Sequence, residues 1–274
     1  MVVYRSPILQ VVALAVMAAI VALAAPAAAA DPVELRIEVY GFAGFHVLTN
    51  RTSVAASGDR YSIATELDTR GLASVFVDLT SHSEVRGRLT HDAARPDAYQ
   101  GDVRRNGNDS HYRIDYRADG TVASDQTPPS PALRSAAAVD QMRGTVDQLT
   151  AFFIVERQLA QRGSCGLVVP VFDGLSRYNL RFTDAQPETL SPEGHQRFAG
   201  PTLICSILRE DVVGFPSGQD ANGGTYKRGK IWYASLTGGD QMVPVRMEFD
   251  TEYGSVSGYL TELRHHGLKL SFKD

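Results

Sequence analysis

From residue 33 onward the chain alternates apolar and polar residues with a period of two, and that period restricts most of it to half-buried strands. Val33, Leu35, Ile37 and Val39 interleave with Glu34, Arg36, Glu38 and Tyr40, so one face is buried and the other meets water. Gly41-Phe42-Ala43-Gly44 then makes a turn or bulge before Phe45–Leu48. Ser57-Gly58-Asp59 turns the chain into Tyr61–Leu67. Asn106-Gly107-Asn108-Asp109 supplies the positive φ that a tight hairpin between Tyr99–Arg105 and Ser110–Arg117 needs, and Asp119-Gly120 repeats that chemistry before Thr121-Val122-Ala123.

The period changes once. Thr127-Pro128-Pro129-Ser130-Pro131 is expected to cross the surface as an extended linker, because proline cannot donate to a ladder. Between Thr145 and Gln161, Val146, Leu149, Phe152, Phe153, Ile154, Val155 and Leu159 fall at helical spacing. Thr145 or Asp147 can cap the start, and Gly163 can end it. The wide apolar face predicts a helix packed deep against a sheet. Strands then return at Leu167–Phe172, Ser176–Thr183, Thr202–Arg209, Gly229–Leu236, Met242–Asp250 and Val256–Leu263. Turn signals between them include Asp173-Gly174, Pro187, Pro192, Gly223-Gly224, Gly238-Gly239 and Gly254. The economical architecture is mainly β: a long curved antiparallel sheet, a β-spiral or half-open barrel, wrapped around one central helix. A two-sheet sandwich is the alternative.

Residues 1–30 stand apart from this pattern. Arg5 precedes an apolar run from Ile8 to Ala25 broken by Gln10, Pro26 stops the helix, and Ala28-Ala29-Ala30 offers small residues for a signal peptidase. This reads as a cleavable secretory signal followed by a single domain over 31–274, exported to the periplasm, with no later transmembrane segment. In an oxidising compartment the only two cysteines, Cys165 and Cys205, are expected to form a structural disulfide. Such a bridge closes a loop of about 40 residues, worth on the order of 4 kcal/mol in the chain-entropy model.

The chemistry-bearing residues form no known motif. The seven histidines are dispersed, and His265 and His266, as neighbours on a strand, are expected on opposite faces, so no metal site is predicted. No Gly-x-Ser-x-Gly elbow occurs, and the glycine-rich stretch Gly218–Gly229 lacks phosphate-loop spacing. No catalytic residue and no cofactor are assigned. The 27 basic and 31 acidic residues, a net charge of −4, are interleaved rather than clustered, which argues against a nucleic-acid partner. Arg177 and Arg181 share a strand face with Asp173 and Asn179, and Arg246 shares one with Glu248 and Asp250. The bland reading is a solvated polar face; the sharper one makes Arg177, Arg246 and the lone Trp232 an anionic ligand or partner surface.

Val171-Phe172-Asp173-Gly174 followed by Arg177-Tyr178 resembles the exported bacterial proteins of domain-of-unknown-function family 3108. Tyr40-Gly41-Phe42-Ala43-Gly44, Thr69-Arg70-Gly71-Leu72, Cys205 and Pro244-Val245-Arg246 match as well. The resemblance implies a periplasmic, β-rich envelope protein similar in layout to β-spiral proteins and lipoprotein carriers. The function expected from all of this is a non-enzymatic envelope module that binds a lipid or periplasmic protein partner in the concave face of its sheet and supports envelope integrity. A hydrolase with a dispersed site and a pure protein–protein scaffold are the alternatives.

Overall fold

The computed structural model describes residues 31–272 apart from 42–43, 70, 72–73, 75–77, 130–138, 215–226, 238–240 and 252–253. The segment 1–30 read as a secretory signal, the Phe42-Ala43 pair, Arg70, Leu72, Ser130-Pro131, most of Gly218–Gly229 and the Gly223-Gly224 and Gly238-Gly239 pairs expected to turn lie outside the described residues.

Fourteen strands form one antiparallel sheet. They are β1 (Val33–Tyr40), β2 (His46–Ser57), β3 (Arg60–Thr69), β4 (Leu79–Leu89), β5 (Ala94–Arg105), β6 (Asn108–Tyr116), β7 (Val122–Thr127), β8 (Leu167–Phe172), β9 (Arg177–Leu190), β10 (Gly200–Val213), β11 (Arg228–Ala234), β12 (Val243–Thr251), β13 (Gly254–His265) and β14 (Leu268–Ser271). The order is β7-β6-β5-β4-β3-β2-β1-β13-β12-β11-β10-β9-β8, with β14 paired to the end of β13. Neighbours are nearly all consecutive hairpins, the arrangement that period-two segments and short turns favour. The first strand, β1, pairs with β13 near the chain's other end in the middle of the order, so the sheet has two arms.

The longest helix among the described residues, α1 (Gln148–Arg162), lies between those arms. Asp147 caps its start by accepting from the Thr150 N–H, and Gly163, at φ 67°, ends it by donating to the Leu159 carbonyl. Thr145 instead turns its hydroxyl back onto the Met142 carbonyl at 2.7 Å. Ala151, Val155 and Leu159 pack against Val169, Val171, Tyr178, Leu180, Phe182, Ile207, Ile231 and Tyr233 of the β8–β11 arm. Phe153 and Leu149 pack against Val54, Tyr61, Ile63 and Val85 of the β2–β5 arm. The wide apolar face seen in the sequence therefore serves two walls at once. A second core joins Val33, Leu35, Ile37 and Val39 to Trp232, Val245, Leu260, Leu263 and Phe198.

The sheet is not closed, because β7 and β8 do not pair among the described residues. A short segment stitches the gap. Val146 donates to the Pro170 carbonyl at 3.0 Å and accepts from the Phe172 N–H at 2.9 Å, while Gly144 donates to the Gly120 carbonyl at 3.1 Å. Phe172 then buries itself among Ile114, Val122 and Met142 from the opposite side of the seam. Pro170 suits this position, since an edge strand tolerates a missing donor.

Three local expectations change. Thr127 is the last residue of β7, paired with His111, rather than linker. Pro187 does not end a strand: β9 runs through it, past the end of β8 and beside a register shift against β10, where its missing N–H costs no ladder bond. His265 and His266 do not diverge, because His266 takes a positive φ of 46° in the β13–β14 turn and brings the two ring centroids to 4.0 Å.

Candidate functional site

The concave side of the sheet is taken by α1, so its open space lies at one mouth, beside the seam. There a cavity of about 530 Å³ is walled by Asp59 from the β2–β3 turn, Arg88–Thr90 at the end of β4, Arg95 and Pro96 at the start of β5, Tyr116–Ala118 with Gly120 and Thr121 around the β6–β7 turn, and Gly144–Val146 of the stitch. The β6–β7 turn is fixed locally: Asp119 Oδ1 accepts from the Thr121 N–H at 2.9 Å and hydroxyl at 2.6 Å, and Arg143 donates to the Asp119 carbonyl at 2.6 Å. Arg88 is committed to Asp97 at 2.9 Å, which also takes Arg60 at 3.1 Å. Arg95 and Arg117 make no ion pair among the described residues. Leu89, Pro96, Val146 and the Tyr116 ring give the same cavity apolar wall.

Polar groups are buried behind that wall. Thr150 donates to Asp147 Oδ2 at 2.6 Å, and the Tyr61 hydroxyl bonds Thr150 Oγ1 at 2.8 Å. Tyr178 donates to Gln148 Oε1 at 3.0 Å, and Tyr99 to Ser83 Oγ at 3.0 Å. Burial pushes the Asp147 carboxyl above the ordinary aspartate range in spite of its hydrogen bonds, and burial beside Asp147 pushes the Tyr61 and Tyr116 phenols up. The Tyr116 hydroxyl is buried with no hydrogen-bond partner among the described residues. In front of these buried groups, Arg88, Arg95 and Arg117 place positive charge on the cavity wall. No serine or cysteine lines the cavity among the described residues.

The residues singled out in the sequence lie elsewhere. Trp232, Arg246, Tyr259, Glu38 and Thr49 are consecutive register partners across β11, β12, β13, β1 and β2, hence a row on one face, the face opposite Ile231 and its core. Arg246 sits over the Trp232 ring at 4.5 Å and is held by Glu248, while Trp232 Nε1 donates to Glu188 at 2.9 Å. Glu38 accepts from Arg36 at 2.6 Å and Thr49 at 2.7 Å and meets His46 Nε2 at 2.5 Å. Burial works to raise its carboxyl, but the bonds from Thr49 and Arg36 and the charges of Arg36 and His46 outweigh it and hold it below the ordinary glutamate range. His195 from the β9–β10 connection stacks on Tyr40 at 3.7 Å above this group, leaving a cleft of about 430 Å³. The structure thus brings Arg246 and Trp232 together and satisfies both. Arg177 is apart from them, at the far end of β9 from Ala185, donating to Asn179 at 2.8 Å.

Cys165 and Cys205 are joined by a disulfide with Cα atoms 5.7 Å apart, both sulfurs buried. The bridge pins the residues after α1 to β10. Asp184 reinforces it by accepting from the Cys165 N–H at 2.6 Å and the Ser164 hydroxyl at 2.7 Å. The Asp173-Gly174 motif is also structural. Asp173 Oδ1 accepts from the Leu175 and Ser176 N–H groups at 3.0 and 2.7 Å, Gly174 takes a φ of 98°, and Arg209 lies over the Tyr178 ring at 3.7 Å. The mouth cavity had no counterpart in the sequence reading, because its walls come from separated turns that no spacing connects.

Comparison with known proteins agrees with this architecture. The chain has no match among curated proteins. It is similar to the solved β-barrel-like protein of domain of unknown function DUF1849 from Brucella abortus, with a TM-score of 0.51 and 10% identity over 87% of this chain and 99% of that one. A candidate lipoprotein from Parabacteroides distasonis gives a TM-score of 0.35 and 13% identity over 86% and 95%. The model of the proteins of unknown function DUF3108 matches residues 36–261, and over that span, which holds the Asp173 hairpin, the bridged cysteines and both arms of the sheet, the chain belongs to the DUF3108 family.

Proposed function

We infer that this protein is exported and works, without catalysis, as a binding module of the bacterial envelope that supports envelope integrity, with its ligand seated at the mouth of the concave side. The secretory pattern of residues 1–30 and the buried disulfide support export. One observation carries the binding reading. The helix fills the concave face, and the space left there is a cavity of about 530 Å³ with both charged and apolar wall, within the range of small-molecule sites.

The test is protein purified from the periplasm of an expressing bacterium. The polypeptide should begin at Asp31, and its native mass should exceed the sequence mass by a small molecule that organic extraction releases. Ala118→Trp, which fills the cavity, should lose that adduct while keeping its melting temperature. Full-length protein retained in the cytoplasm, or bare protein with an empty extract, contradicts the reading.

A further inference from the structure

We propose that the mouth cavity recognises a phosphate group carried on an apolar body, with Arg95 and Arg117 as the phosphate clamp. This rests on the binding reading above and names the ligand class. Arg88, Arg95 and Arg117 face a single lining acid, Asp59, so the cavity has a net positive charge. Arg88 is neutralised by Asp97. The other two guanidiniums make no ion pair among the described residues, Arg117 lying only near enough to the exposed Asp119 carboxylate to help hold it low, and they belong to separate elements, the start of β5 and the end of β6. Two such forks converging on one space suit an oxyanion that accepts several charge-assisted bonds. A carboxylate offers two oxygens and a phosphate monoester three, so the monoester can meet both forks with separate oxygens. Leu89, Pro96 and Val146 would lie along the apolar part, as in sites where a few polar groups orient a mainly apolar ligand.

The probe is dihexanoyl phosphatidic acid, titrated calorimetrically into ligand-stripped mature protein below its micelle concentration. Dihexanoyl phosphatidylcholine, inorganic phosphate and hexanoate serve as the comparison arms. Phosphatidic acid should bind, phosphatidylcholine and hexanoate should not, and inorganic phosphate should bind at least about tenfold more weakly because it leaves the apolar wall unused. Arg95→Gln and Arg117→Gln should each weaken phosphatidic acid by about tenfold or more. Arg264→Gln, which removes the same charge from the opposite part of β13, should leave it unchanged. Equal binding of phosphate and phosphatidic acid would make the site one for free phosphate and overturn the amphiphile. Binding that ignores both substitutions, or falls equally with Arg264→Gln, would overturn the clamp. A neutral lipid recovered in the native mass measurement would preserve the binding module and overturn only the phosphate class.

Discussion

Removing the disulfide should cost this fold about a third of a typical domain's stability. Cys165 and Cys205 are 40 residues apart in sequence, and closing a loop of that length in the unfolded chain is worth about 4 kcal/mol in the chain-entropy model. For a domain of this size each kcal/mol moves the melting temperature by about 2–4 °C, so the shift should be about 8–16 °C. Three species separate the causes: oxidised wild type, wild type fully reduced in mild denaturant, and Cys165→Ala/Cys205→Ala. The gap between the first two is the loop term. The gap between the last two is the packing of two fully buried sulfurs, about 1 kcal/mol each. The denaturant m-value should rise on reduction, because the unbridged unfolded chain exposes more surface. Oxidised and reduced wild type melting within 2 °C of each other would refute the reasoning and mean that the β9–β10 ladder already confines this loop when the rest of the chain is unfolded.

Other consequences follow from α1 and from the Glu38 cluster. Phe153→Ala, which removes a ring buried at 3% exposure and stacked on Tyr61, should cost about 3–5 kcal/mol by urea unfolding. Glu156 on α1 makes no ion pair among the described residues, and burial pushes its carboxyl up from 4.5 to about 8. A folded value above the unfolded one favours the folded state at low pH and loses that advantage as pH rises. Glu156→Gln should therefore match wild type near pH 4.5 and exceed its stability by on the order of 1–2 kcal/mol above pH 8. Glu38 shows the opposite sign. Its carboxyl is held low by Thr49 and Arg36 against the pull of burial, so Glu38→Gln should cost on the order of 1–3 kcal/mol at neutral pH, a cost that disappears as pH falls through the depressed value.

Much of this architecture is legible in the residues themselves. β1 alternates apolar and polar residues, Asp147 and Gly163 bracket α1, and the only two cysteines find their bridge. β4 is not legible, because the buried face of Leu79–Leu89 includes Ser83 and Gly87 as well as Val85. Ser83 is buried against the Tyr99 hydroxyl and Gly87 has the Tyr61 ring where a side chain would stand, so their partners, not their hydropathy, place them inside. Trp232 and Arg246 stood out by residue type, and their pairing across β11 and β12 needed the register. The mouth is harder still. Asp59, Arg95, Arg117 and Gly144 meet only because hairpin ends converge where the stitch crosses the seam. Arg117 looks like any solvated arginine until its place in the cavity wall is seen in three dimensions.

A ligand should enter beside the seam, not along the buried concave face and not at the row from Trp232 to Thr49. Hydrogen exchange of the mature protein with and without dihexanoyl phosphatidic acid measures this directly. Protection should appear at 88–96, 116–121 and 144–146, with no change at 36–46, 195–197 and 232–259. Protection confined to the Tyr40–His195 cleft, or spread through α1, would contradict it.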